Sequence, residues 1–134
     1  MPDRGQDLGA DLYHLWLAGK QDLPSVADQY GAAAESVEDT GYVAAVMWRP
    51  SRFGGDNYGP VFRSWTALRD EFQTILADTA TNLTLTGTAL CLAANEYAKS
   101  DKNAAAEMHR LMRVDGGAAT AYSSGPDASQ RGPR

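Results

Sequence analysis

From Val61 to Arg113 the chain reads VFRSWTALRDEFQTILADTATNLTLTGTALCLAANEYAKSDKNAAAEMHRLMR, with no proline and a single glycine. Phe62, Trp65, Leu68, Phe72, Ile75, Thr79, Leu83, Thr86, Leu90, Ala93, Tyr97, Ala104, Met108 and Leu111 are mostly three or four residues apart. That is the spacing one face of a 3.6-residue helix requires. Unbroken, such a helix would be roughly 75 to 80 Å long at 1.5 Å per residue. A helix so long, with one apolar side, must lie against another. The run therefore dictates a hairpin or bundle rather than a pocketed globule.

The partner segment lies upstream. Leu8, Leu12, Leu15, Gly19, Leu23, Val26, Tyr30, Ala33 and Val37 repeat at three or four, and the stripe extends through Ala44 to Trp48. Pro24 fits only the first turn of a helix, where no backbone donor is needed, with Asp22 as its cap. A short helix at about 8–20 and a main helix at about 22–48 follow. Gly31 and Gly41 weaken the main helix by about 1 kcal/mol each relative to alanine, a cost that close approach of a neighbouring helix offsets. RPSRFGGDNYGP is a loop, and Gly59-Pro60 opens the long helix, about 60–113. Gly116 is placed to stop it, with His109, Arg110 and Arg113 near the negative end of its dipole. Thr79, Thr81, Thr84, Thr86 and Thr88 lose rotamer freedom in a helix, so the sequence leaves open a kink or break between Asp78 and Gly87. A strand over TNLTLTG is the local alternative. The last twenty residues, rich in Gly, Ser, Ala and Pro, read as a tail without periodicity. The expected organisation is a flexible N-terminus at 1–7, a helical hairpin domain at 8–114 and a disordered tail at 115–134. The fold class is all-α, an elongated helical hairpin.

At 134 residues the chain is one domain by length. Much of its 43% hydrophobic content is alanine, which packs helices closely without giving a thick core, so a partner is expected to complete the fold. A net charge of −5 with no cluster of Lys and Arg argues against nucleic acid or an anionic membrane surface as partner. Cys91, the sole cysteine, is read as a buried structural thiol beside Leu90 and Leu92. No stretch reaches the roughly 20 apolar residues of a membrane span. The first residues lack the pattern of a cleavable signal, so the protein is expected either to stay inside or to leave by a leaderless route.

Residues for catalysis are sparse. His14 and His109 sit on different segments, and Glu107 precedes His109 by two, which puts them on different helix faces. Ser64 and Ser100 lack a nucleophile-elbow setting. FGGDNYG has neither the lysine of a phosphate loop nor dinucleotide spacing. Asp70 with Glu71, and Glu35 with Glu38, read as solvated helix faces. No catalytic, cofactor-binding or metal-binding residues are therefore assigned. Aromatics stand out instead: Trp48, Phe53, Tyr58, Phe62 and Trp65 bracket the turn, where they close the end of a bundle, bind a partner, or do both.

Near the end of the long helix stands Tyr97-Ala-Lys-Ser-Asp101, a tyrosine and an acid four apart, ahead of a Gly- and Ser-rich tail and after an aromatic turn. This layout resembles the WXG or ESAT-like helical-hairpin proteins of type VII secretion, whose export motif is a tyrosine, three residues and an acid. The turn departs from the family, with Trp48-Arg49-Pro50, then Phe53-Gly54, and no Trp-x-Gly, so the likeness is to an Esp-type or other WXG-like member. The resemblance implies a non-enzymatic protein, secreted without a leader by the type VII machinery. It further implies pairing, as a homodimer or as a heterodimer with another helical hairpin, into a four-helix bundle, with Tyr97 and Asp101 as the export motif. On a helix these two share one side, where a receptor can read ring and carboxylate together. The alternative is a cytoplasmic adaptor or chaperone for a secreted effector, with Tyr97 a core ring and Asp101 a surface acid.

Overall fold

Pro24 decides how the first helical segment is built, because it has no N–H and its ring crowds the carbonyl of the residue four back, Lys20. Helix α1 spans Arg4–Leu17, and a π turn at Ala18–Asp22 leads directly into helix α2, Leu23–Asp39. The wider π turn absorbs the proline, so the helix does not have to restart at Asp22. Asp22 accordingly has helical backbone angles and makes no side-chain cap bond, contrary to the expected cap. The computed structural model describes residues 4–54 and 57–123. Positions 1–3 and 124–134, at the ends of the expected N-terminal segment and tail, lie outside the described residues.

The main helix expected at 22–48 stops being α at Asp39. A 3₁₀ helix, Thr40–Met47, replaces it. Glycine and β-branched residues in TGYVAAVM give the α form little support, and the Thr40 hydroxyl donates to the Val37 carbonyl at 2.6 Å. Strands β1, Trp48–Arg49, and β2, Asn57–Tyr58, then pair antiparallel, Trp48 opposite Tyr58. A 3₁₀ turn at Ser51–Phe53 links them, closed by Gly54 at φ 97°, a left-handed value that favours glycine.

Helix α3 runs Pro60–Ser100 without interruption, so neither the break at Asp78–Gly87 nor a TNLTLTG strand forms. Each threonine hydroxyl there donates to the carbonyl four residues back: Thr79 to Ile75, Thr81 to Ala77, Thr84 to Ala80, Thr86 to Asn82 and Thr88 to Thr84, at 2.7 to 3.1 Å. These bonds fix the rotamers along the helix. The break comes at Asp101. Its Oδ1 accepts the backbone N–H of Asn103 at 2.8 Å and of Ala104 at 3.2 Å, an N-cap for helix α4, Lys102–Ser123. The long helix expected at 60–113 is thus two helices. The second passes through Gly116, which makes no stop, and continues over the first nine residues of the expected tail. Likewise α1 begins inside the expected N-terminal segment.

The described chain packs as two units, one from residues up to Leu17 with those from Leu90 onward, the other from Ala18–Ala89. In the first, Leu12 and Tyr13 of α1 bury against Ala94 and Ala98 of α3 and Ala104 and Met108 of α4, with Leu15, Trp16, Leu111 and Met112 around them. A methyl at Gly9 would lie 2.6 Å from the Ala104 carbonyl oxygen, so α1 and α4 approach backbone to backbone. Cys91, half-buried, donates its thiol to the Trp16 carbonyl at 3.5 Å. In the second unit the buried apolar side chains are Ala27, Ala34 and Leu76. There α3 meets the π turn, and a methyl on Gly87 would sit 2.5 Å from the Gly19 carbonyl oxygen. The glycines that let helices approach are Gly9 and Gly87; Gly31, expected in that role, has nothing within 4 Å. The fold is all-α apart from the two-residue ladder.

Candidate protein-binding surface

Which side of α3 faces its own chain settles what the rest of the helix is free to do. The buried positions in the second unit are Leu76 and Gly87, and in the first Ala94 and Ala98. At 100° per residue these lie on one line. The neighbouring line carries the large side chains. Val61, Leu68, Phe72 and Ile75 recur at seven, four and three residues and are 70%, 68%, 50% and 54% exposed. Leu76 and a set of small residues therefore make the internal contacts, while a stripe of larger ones stays open. Beside it, Val37 and Thr40 with Trp65, Leu68, Arg69 and Phe72 line a groove of about 410 Å³. Tyr42 and Val46 of the 3₁₀ helix are also exposed.

The stripe meets the aromatic turn. Trp48 stands edge-on to Tyr58 with ring centroids 5.0 Å apart, and Tyr58 stacks on Phe62 at 3.9 Å and 14°. Phe62 contacts Trp65 at 6.5 Å, and the Arg69 guanidinium lies 5.2 Å over the Trp65 ring, a cation–π contact. The β-ladder makes this possible by setting Trp48 directly opposite Tyr58. Four of the five expected turn aromatics thus form one continuous series, with Trp48 and Tyr58 at its exposed end. Phe53 does not join it; it projects from the 3₁₀ turn with Arg52 5.0 Å over its ring.

Tyr97 is 64% exposed on the last turns of α3, so it is not a core ring. Asp101 is not on the same helix. It stands at the joint, half-buried, with one carboxylate oxygen already accepting two backbone N–H groups. The premise that both share one side of a continuous helix fails at Ser100.

His14 and His109 are exposed on α1 and α4. Among the described residues no group of three His, Cys, Asp or Glu is placed to hold a metal, and no helix is long and apolar enough to cross a membrane. Glu107 pairs with Arg110 through two bonds, the Arg110 Nε and Nη2 donating to the two carboxylate oxygens at 2.8 and 2.6 Å. Those bonds hold the Glu107 carboxyl below its usual pKa and raise that of Arg110.

Sequence reasoning missed the exposed stripe as a surface. Leu68, Phe72 and Ile75 were visible in the periodicity, but apolar spacing does not say which of two adjacent lines is covered. Residue size gives only part of the signal: Gly87, Ala94 and Ala98 mark the covered line, but Leu76, Leu83 and Leu90 stand on it as well. Comparison with protein families, with curated proteins and with solved structures finds no match to this chain.

Proposed function

We propose that this protein is a non-enzymatic helical partner protein of type VII secretion, WXG-like without the Trp-x-Gly turn. It pairs with itself or with another helical chain through the open face of α3 and leaves the cell by a leaderless route. One observation carries the reading: Val61, Leu68, Phe72 and Ile75 of α3 form a stripe of large apolar residues that the chain leaves half or more exposed. A chain folded for its own sake would cover them, because burying a large side chain gives about 1.5–3 kcal/mol. Pairing into a four-helix bundle recovers that term. Export rests on the resemblance of Tyr97 and Asp101 to the secretion motif and on the exposure of the Tyr97 ring.

A second reading has its own support. Asp101 has a complete structural role as the cap of α4, which favours a cytoplasmic adaptor or chaperone for a secreted effector. Immunoblots of cells and culture filtrate from the native host separate the two, with wild type, Tyr97→Ala and a lysis control. Wild type in the filtrate and the variant retained in the cell supports export. Retention of both overturns it and leaves the adaptor reading.

A further inference from the structure

The pairing reading leaves the partner open, and the charges around the stripe narrow it. From Gln21 to Trp48 the chain carries Asp22, Asp28, Glu35, Glu38 and Asp39 and no basic residue. From Asp70 to Ala98 it carries Asp70, Glu71, Asp78 and Glu96, again with no basic residue. Two of these acids, Glu71 and Asp78, are exposed and seven residues apart. On α3 they fall along the edge of the Val61–Leu68–Phe72–Ile75 stripe that lies away from Leu76. Across the groove stand Val37 of α2 and Thr40, and α2 brings no base. Arg69, which lines the groove, is bonded to Asp70 at 2.6 Å and lies over Trp65.

A second copy offers these acids little counter-charge, since its own α2 and its α3 from Asp70 to Ala98 are equally without bases and its Arg69 is bonded to Asp70. Like charges facing each other along a helix seam oppose pairing, and opposite ones at the flanking positions choose the partner. An anionic membrane or a nucleic acid meets the same repulsion. We propose that the occupant of this face is an amphipathic helix of a different protein, its apolar stripe edged by Lys and Arg. The proposal rests on the pairing reading above and makes it a heterologous one.

Three synthetic helices of about four heptads test it against the full chain, with labelled-peptide anisotropy as the readout. One has a Leu/Ile stripe edged by Lys, one the same stripe edged by Glu, and one the Lys peptide's composition shuffled to destroy the stripe. The Lys-edged peptide is expected to bind roughly tenfold or more tighter than the Glu-edged one and to weaken as salt shortens the screening length. The shuffled peptide is expected not to bind. Phe72→Asp, at an exposed position, should abolish binding with helical circular dichroism unchanged. Glu71→Lys with Asp78→Lys should turn the preference toward the Glu-edged peptide. Equal binding of Lys- and Glu-edged peptides, binding of the shuffled one, or no binding by any of them overturns the proposal. So does sedimentation showing the chain paired with itself in a form that Phe72→Asp dissolves. None of these readouts involves export, so a failed export blot and a failed partner assignment are told apart.

Discussion

Gly31→Ala and Gly87→Ala are the same chemical change in two helices of one unit, and the structure assigns them opposite signs. Each removes a helix-interior glycine, which by propensity alone stabilises by about 0.5–1 kcal/mol. At Gly31 the new methyl meets nothing within 4 Å, so the whole gain is realised. At Gly87 it would lie 2.5 Å from the Gly19 carbonyl oxygen, about 1 Å inside an ordinary carbon-to-oxygen contact of about 3.3–3.6 Å. The obstacle is backbone, and Leu23 Cβ at 3.6 Å blocks part of the retreat. Overpacking of this kind costs about 1–3 kcal/mol, leaving a net loss of about 1–2 kcal/mol after the propensity gain. For a chain of this size each kcal/mol moves Tm by about 3–5 °C. Thermal melts followed by far-ultraviolet circular dichroism should show Gly31→Ala melting roughly 2–4 °C above wild type and Gly87→Ala roughly 3–10 °C below it. Shifts of the same sign would refute the close approach of α3 to the π turn.

Asp101→Ala should cost about 1 kcal/mol by uncapping α4, whereas Asp101→Asn should stay within a few tenths because Asn caps as well as Asp; equal losses in denaturant titrations would remove the cap from the account. The Glu107 carboxyl, held below its ordinary pKa of 4.5 by Arg110, stabilises the fold above that value and loses its contribution as pH falls through the lowered folded pKa, since the unfolded chain then binds the proton first. Glu107→Gln should therefore flatten the acid limb of a Tm-against-pH curve, and an unchanged limb would deny the pair any part in it. In a Trp16→Phe background, acrylamide should quench Trp48, at the exposed end of the ring series, more than half-buried Trp65, as measured with single-tryptophan variants; equal quenching would mean that the series is not packed as described.

Much of the helical content was legible because helix periodicity survives any choice of packing. The helix start at Pro60 follows from backbone chemistry that sequence displays directly, whereas Pro24, read as the start of a capped helix, is carried through by a π turn, and the expected loop holds a two-residue ladder. The joint at Asp101 was equally available, since Ser-Asp-Lys-Asn offers an N-cap carboxylate, but an unbroken apolar stripe on both sides masked it. The threonine run misled in the opposite direction. Intrinsic propensity counts the lost rotamers of Thr79 to Thr88 and omits the bonds their hydroxyls make to the preceding turn. The expected turn cluster was right for Trp48, Tyr58, Phe62 and Trp65, which the ladder and α3 bring together, and wrong for Phe53, whose neighbours are set by the 3₁₀ turn. Tyr97 and Asp101 were read as one signal because they are four apart, and four apart means one face only where the helix is continuous.

An interior lined with alanine also changes which positions the chain can vary. Ala94 and Ala104 are fully buried, so a larger residue overpacks and glycine forfeits about 1 kcal/mol of helix propensity. Gly9 and Gly87 accept nothing larger without moving backbone. Val61, Leu68 and Ile75 touch little of their own chain, and in isolation they can be exchanged at small cost. Saturation mutagenesis scored on the folding of the lone chain would find constrained sites at the buried alanines and glycines as much as at Leu12, Tyr13, Leu76 and Met108, and permissive ones along the Val61–Ile75 stripe. Distant relatives would then share with this protein the buried alanines and glycines along the helices more than the residues of the open stripe.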